Sequence, residues 1–365
     1  MEILGTTLEN IEDIAQKEIS ELISKEAKII LPGILGFTAN EQELINIIHN
    51  SRAFIKFYSL ISTVEFRNFE NLKEKISNLD FSKLQEPFVV RVEKKDNEEF
   101  KSLNLERDVG EIIHETFNKE VNLKDPTTII CLIIRENTCF ITIDYTKEKL
   151  SRRDYRINLN VHTVNPLIYY FMLRFSDWKV NEILVDPFAN TGEILIEAAS
   201  YALRMPSNKD TIFQYTKLTN LVPNEEVTKI KLKIYGLDEN QFNIKKTMFN
   251  ATAAGVQEEI KLSQGGVEWI DTEFKEKEIN KIISYPPYTS KTHSKKEIKE
   301  KYYELFHQAD YVLGDEGNIT ILHPVDENIQ DYINGTNFKL EKTRKLEINN
   351  KAYLISIFKK VYKQE

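Results

Sequence analysis

Cysteine is scarce in this sequence. Two thiols, Cys131 and Cys139, among 365 residues exclude a disulfide framework and a cysteine-built zinc site, and they point to a reducing compartment. No run of about 18 apolar residues exists, so no segment is suited to span a bilayer as a helix. Residues 1–13 lack the basic start of a signal or transit peptide, and a cytoplasmic location is expected. Gly/Ser-rich and Pro-rich linkers are missing, as are short repeats. G-x-G-x-x-G and Gly-Lys-Ser/Thr are also missing, which removes the dinucleotide fingerprint and the phosphate-binding P-loop. Positive charge is in deficit as well: 49 Lys and Arg face 57 Asp and Glu, for a net charge of −8. Taken whole, that balance argues against a nucleic-acid partner.

What is present is a chain of 41% hydrophobic residues, enough for real cores. At roughly 100–200 residues per domain it has room for two or three. Its charge is uneven. Residues 1–50 hold three basic and nine acidic side chains, a balance of −6, which leaves −2 for all the rest. Within 145–156, Lys147, Lys149, Arg152, Arg153 and Arg156 outnumber Glu148 and Asp154. Within 289–301, Lys291, Lys295, Lys296, Lys299 and Lys301 outnumber Glu297 and Glu300. Salt screens charges beyond about 8–10 Å, so an acidic chain can still carry a local phosphate-binding face. A solvated helix face is the plainer alternative for such lysine runs.

Apolar spacing predicts a helix over 7–23, a strand over 28–31, a helix over 41–49 and a strand over 54–62. A second unit follows, with helices over 68–78 and 104–117 and a strand over 88–93. The runs 127–135 and 138–145 are joined by Glu136-Asn137 and read as a hairpin. Both cysteines fall in that hairpin, as small core residues. From 165 onward helix and strand alternate. Helices are predicted over 166–175, 192–203, 241–254 and 296–313, and strands over 182–185, 231–237, 281–284, 317–323 and 352–361. Such alternation implies a mainly parallel sheet covered on both faces, with ligands at the carboxyl ends of its strands.

Three strand ends carry candidate chemistry. Asp186-Pro187-Phe188-Ala189-Asn190-Thr191-Gly192 leaves the first strand and opens a helix, which brings backbone N–H groups toward a polar ligand. Tyr235-Gly236-Leu237-Asp238 ends the next strand with a carboxylate that can accept ribose hydroxyls, or simply cap the following helix. Ser284-Tyr285-Pro286-Pro287-Tyr288 ends a later strand in a stiff loop, with carbonyls for an amino group and a flat ring for a base.

These motifs, in this order, resemble the class I S-adenosylmethionine-dependent methyltransferases that act on exocyclic amino groups. Leu150-Ser151-Arg152-Arg153-Asp154-Tyr155-Arg156, followed by His162 and Asn165-Pro166, is similar to the corresponding run of the guanine-N(2) RNA methyltransferases. Phe88-Val89-Val90-Arg91-Val92, the helix over 104–117 and Phe140-Ile141-Thr142-Ile143-Asp144 resemble a THUMP RNA-binding domain. Essentially the whole chain resembles archaeal THUMP methyltransferases that modify guanosine in tRNA, with the acceptor-stem region favoured.

The resemblance implies an α/β chain. A ferredoxin-like domain would occupy 1–63, an α+β THUMP domain 64–150, a linker with its leading helix 151–180, and a Rossmann-fold methyltransferase domain 181–365. It implies S-adenosylmethionine held by Asn165, Asp186, Phe188, Ala189, Asn190, Thr191, Gly192, Asp238, Glu239, Gly266 and Val267. The target guanine would be received, for catalysis, by Ser284, Tyr285, Pro286, Pro287 and Tyr288. Arg91, Lys147, Lys149, Arg152, Arg153, Arg156, Lys291 and Lys295 would meet tRNA phosphates. No metal and no membrane are implied, and nothing indicates a protein partner. Three positions depart from the family. Asn190 replaces a loop glycine, Tyr285 replaces the Asn/Asp before Pro-Pro, and Gly265-Gly266-Val267 stands where Gly-Asp-Ala is usual. A non-catalytic tRNA-binding relative is therefore the alternative to an active enzyme.

Overall fold

The computed structural model describes residues 1–95, 101–160, 163–208, 221–224 and 226–361. Its first half is built from β1 (Glu2–Thr6), α1 (Glu12–Ile23), β2 (Lys28–Leu31), β3 (Ile34–Thr38), α2 (Glu41–Asn50), β4 (Lys56–Glu65), α3 (Phe69–Ser77), β5 (Phe88–Lys95), α4 (Ser102–Phe117), β6 (Thr128–Arg135) and β7 (Thr138–Asp144). Local chemistry sets several of these boundaries. Asn40 accepts the Glu43 N–H and Glu43 returns a carboxylate to the Asn40 N–H, a capping box that starts α2. Asn68 caps α3 by accepting the Asn71 N–H. Glu136 takes φ +48 in the two-residue turn between β6 and β7.

All seven strands join one sheet, in the order β2-β3-β1-β4-β7-β6-β5. β4 is the hinge of this sheet: it pairs with β1 near its start and with β7 along the rest of its length. The expected border at 63/64 falls within β4. Two strands escape the sequence pattern, β1 and β3, and α1 starts at Glu12 rather than at 7. β1 is short but lies between β3 and β4, with Ile3 and Leu4 buried. Gly5 is required there, because a Cβ would sit 2.5 Å from the Phe54 ring.

The second half contains α5 (Pro166–Phe175), β8 (Leu184–Asp186), α6 (Glu193–Ala202), β9 (Ile234–Asp238), α7 (Gln241–Ala254), β10 (Ile260–Gln264), α8 (Ile270–Glu273), β11 (Ile279–Ser284), α9 (Lys295–Val312), β12 (Leu313–Pro324), α10 (Ile329–Ile333), β13 (Phe338–Ile348) and β14 (Lys351–Lys360). The sheet order is β10-β9-β8-β11-β12-β14-β13. β10 through β12 run parallel, and the β13–β14 hairpin is antiparallel. β10 and β13 also escape the strand pattern. Both are edge strands, and β13 alternates charges in Phe-Lys-Leu-Glu-Lys-Thr-Arg-Lys, as protected edges do. Chain order reverses between β8 and β11, which opens a crevice at their carboxyl ends.

The halves are joined by buried charge. Glu197 on α6 is fully buried. One of its oxygens accepts from Arg153 Nε and the Tyr155 hydroxyl, both at 2.9 Å, and the other from Arg52 Nη1 at 3.0 Å. Arg153 donates on to the Arg52 carbonyl, and the backbone N–H of Arg52 reaches Glu18 on α1 at 2.9 Å. At the surface Arg174 grips Glu21, and Arg344 grips Asp13, each in a two-pronged pair.

Burial pushes the Glu197 carboxyl up, but Arg153 and Arg52 overcome it and hold the group below its ordinary 4.5. Its stabilisation is therefore complete above pH 4.5 and is lost as pH falls through the lower folded value. E197Q strands two guanidiniums in the interior and is expected to cost about 3–5 kcal/mol in urea unfolding. A loss below about 1 kcal/mol, the scale of an exposed pair, would contradict this role.

Candidate functional site

Four loops at the carboxyl ends of β8, β9, β10 and β11 enclose a cavity of about 250 Å³. The loop after β8 contributes Pro187, Phe188 and Asn190, and β9 contributes Asp238, Glu239 and Asn240. Gly266 and Val267 follow β10, and Tyr285, Pro286, Pro287 and Tyr288 follow β11. Asn243, His293 and Lys301 complete the wall. The sequence order of the motifs thus becomes a ring in space.

The loop after β8 is held by its own backbone. Asn190 has φ +50 and Gly192 φ +84. Glycine is needed at the second position, where a Cβ would come within 2.4 Å of Thr247 Cγ2. Ala189 N–H reaches the Leu237 carbonyl at 2.8 Å, and Asn190 N–H reaches Asp238 Oδ2 at 2.9 Å, so the ends of β8 and β9 are cross-tied. Asp238 also accepts from the Asn240 N–H at 2.8 Å and from Asn243 Nδ2. Asn243 forks across both oxygens, so each oxygen already has two contacts, about the number a carboxylate can accept, and a new donor would replace one arm of that fork. Burial raises its pKa, against the pull of these hydrogen bonds. Glu239 is engaged at the rim by Lys301, at 2.9 Å.

On the opposite wall, Tyr285 and Tyr288 stack with centroids 6.0 Å apart at 18°. Tyr353 of β14 meets both edge-on, at 6.4 Å. Burial pushes the Tyr285 phenol above its ordinary range, with Tyr353 and Tyr288 adding to the shift. Beneath Tyr285 lies a void of about 10 Å³ lined by Asp186, Glu193 and Tyr169, on the scale of one water. Ser284 donates to Asp186 Oδ1 at 2.5 Å. Glu193 Oε1 makes no hydrogen bond, and Arg156 faces it at 3.8 Å.

Several expected roles change. Ser284 is fully buried and does not line the cavity; it braces Asp186. Asp186 and Ala189 face the small void instead, and Thr191 and Gly192 shape the loop without reaching the lining. Asn165 caps α5 through the Leu167 N–H and lines a different cleft. Arg153 is not a phosphate contact: it is 3% exposed and its donors are taken by Glu197, Leu150 and Arg52. His162 lies outside the described residues.

That different cleft, about 700 Å³, runs between the two halves. Lys147, Lys149 and Arg152 are exposed along it, Arg152 paired with Glu148, and Lys56 and Arg156 lie deeper, Lys56 paired with Asp144 and Glu93. Arg156 also donates to the Val164 carbonyl at 3.0 Å. Arg91 lies outside the cleft on β5, turned back to the Val90 and Leu123 carbonyls. Lys291 and Lys295 are exposed on either side of His293. Among the described residues no group of His, Cys, Asp or Glu is arranged to hold a metal, and no helix is long and apolar enough to cross a membrane. Sequence reading missed Asn160, Asn243, Tyr353 and Lys56. The only signal for any of them was the polar spacing Asn243, Lys246/Thr247, Asn250 on one face of α7.

Known proteins resemble this chain. The model of the RMKL-like methyltransferase domain matches residues 153–353, and that of the THUMP domain matches 66–144. The chain is 27% identical to the tRNA (guanine(6)-N2)-methyltransferase of Archaeoglobus fulgidus, covering 87% of this chain and 82% of that one. It is 25% identical to the enzyme of the same name from Methanocaldococcus jannaschii, covering 94% and 95%. The crystal structure of SMU.472 complexed with SAH superposes with a TM-score of 0.80 at 18% identity, over 100% of this chain and 99% of that one; at that identity the likeness concerns the fold.

Burial pushes Asp186 up to about 7, against the hydrogen bonds from Ser284 and Phe188. The advantage of the protonated carboxyl is complete below its ordinary 3.8 and is lost as pH rises through about 7. The melting temperature of the free protein should therefore fall as pH rises from about 4 to about 7 and level off above that, and D186N should flatten that fall. An identical fall in both proteins would show that Asp186 does not titrate there.

Proposed function

This chain belongs to the RMKL-like methyltransferase-domain family, carries a THUMP domain ahead of that domain, and, we propose, transfers a methyl group from S-adenosylmethionine to the exocyclic 2-amino group of a guanosine in tRNA. The observation that carries the reading is the ring of loops itself. Asp238, Asn190 and Gly266–Val267 face Tyr285–Tyr288 across one cavity at the point where strand order reverses. The names of the two archaeal relatives supply the base, the amino position and the RNA class.

The residues fit the cofactor. Asp238 can accept a ribose hydroxyl in place of one arm of the forked Asn243 contact. Gly266 and Val267 present small groups and backbone on the same side, and Gly192 keeps the loop after β8 closed down on Thr247. S-adenosylmethionine, when bound, supplies an electrophilic methyl on a sulfonium. The protein's contribution is alignment. The lone pair of a guanine 2-amino group is delocalised into the ring, so its hydrogens must be held while the nitrogen turns toward the methyl. Pro286 and Pro287 offer carbonyl acceptors and bring no backbone N–H of their own. The neutral Tyr285 phenol can accept one hydrogen bond, in place of the carboxamide or carboxylate usual before Pro-Pro. The exposed face of the tyrosine stack suits a base taken out of its helix.

The tRNA backbone would follow the cleft lined by Lys147, Lys149, Arg152 and Arg156, with Lys291 and Lys295 near the cavity mouth. Of the phosphate contacts expected from the sequence, Arg153 is withdrawn, and Arg91 belongs to a separate surface.

Incubating tRNA with the full chain and methyl-labelled S-adenosylmethionine tests the reading. Label is expected in tRNA with the wild type and not with D238A. K147E/K149E should raise KM for tRNA about tenfold or more and make binding less salt-dependent. No incorporation by the wild type, with both ligands bound, would favour the non-catalytic alternative.

A further inference from the structure

Asn190 sits where a glycine is usual, in a glycine-like backbone conformation, φ +50. Its backbone is well used: the N–H goes to Asp238 and the carbonyl accepts from Thr247 Oγ1 at 3.1 Å. The side chain is the difficulty, because Asn190 lines the cavity and a free carboxamide there would compete for the space of a ligand. It is not free. Asn160 Nδ2 donates to Asn190 Oδ1 at 2.5 Å, and the same nitrogen donates to Asn243 Oδ1 at 3.0 Å. Lys246 Nζ in turn holds Asn160 Oδ1. The segment carrying Asn160 is itself pinned two residues earlier. Asn250 Oδ1 accepts from the Asn158 N–H, and Asn250 Nδ2 donates to the Asn158 carbonyl, both at 2.9 Å. That nitrogen also reaches the Thr191 carbonyl at 2.9 Å. One face of α7 thus fastens both the loop after β8 and the strap over 158–160.

We propose that Asn160 is a positioning residue for the cofactor: it draws the Asn190 carboxamide to the cavity wall, so that an asparagine can serve where a glycine would. The inference rests on the cofactor reading given above. Two residues that are individually unusual become one device, since the side chain added at 190 is matched by the donor at 160. Asn243 belongs to the same device, because it also donates to Asp238.

The test is a double-mutant cycle in the full-length protein, read by calorimetric titration of S-adenosylmethionine and of S-adenosylhomocysteine. N160A is expected to weaken binding about tenfold, the scale of one hydrogen bond. N160D keeps the shape and the Lys246 partner but removes the donors, and it should weaken binding similarly without a packing defect. In the N190G background the same substitutions at 160 should change the affinity no more than about threefold, because only the Asn243 contact remains to be lost. Equal affinity of wild type and N160D would overturn the proposal. So would a tenfold loss that persists in the N190G background, which would assign Asn160 to bracing the strap alone. A wild type that binds neither ligand would overturn the cofactor reading before any substitution is made, and this inference with it.

Discussion

A carboxylate sealed inside a protein must find its counter-charges there, and Glu197 finds two. Arg52 comes from the N-terminal half, Arg153 from the linker and Glu197 from the helix behind the loop after β8. Tyr155 adds a third donor, and Glu18 takes the Arg52 backbone. Removing any one member leaves charge unpaired where water cannot compensate. This cluster joins the seven-stranded N-terminal sheet, the linker and the C-terminal sheet at one buried point. The position of the basic cleft relative to the loop cavity follows from it. A partner that lies along the cleft meets the cavity at a distance set by the fold.

The same cluster connects to the cavity through the linker. After Arg153 and Tyr155 the chain runs directly into the strap over 158–160, which touches the loop after β8 and α7. Polar side chains do what hydrophobic packing cannot do at a wet crevice. They fix loops at their backbone groups while leaving the cavity wall open. The net charge of −8 reads differently in this light. Acidic excess is concentrated in the first 50 residues, while the cleft walls carry five basic side chains against two acidic ones. Recognition that relies on shape and a local basic track needs no basic chain overall.

Much of the fold was legible in the sequence because its signals are local. The Glu136-Asn137 turn is a short-range device, and so are the apolar faces of α1, α2 and α4. The three strand-end motifs lie in the loops that line the cavity. What stayed hidden depends on distant partners. β1 and β3 are too short to announce themselves, and β10 and β13 are edges whose polar residues mask the period. Arg153 reads as a surface cation in a basic run, and only the buried Glu197 reveals its task. Ser284 and Asn165 lie within recognisable motifs, yet their side chains point to Asp186 and to a helix cap. Tyr353 backs the Tyr285–Tyr288 pair from the far end of the chain, with no motif to mark it.

The central claim is that this cavity methylates the 2-amino group of guanine despite asparagine at 190 and tyrosine at 285. The most direct measurement is nucleoside analysis of tRNA modified by the wild-type protein, by digestion, chromatography against standards and fragment mass spectrometry. N2-methylated guanosine is expected as the modified nucleoside. A methyl group found on an adenine amino nitrogen, or on a ring nitrogen of guanine, would contradict it.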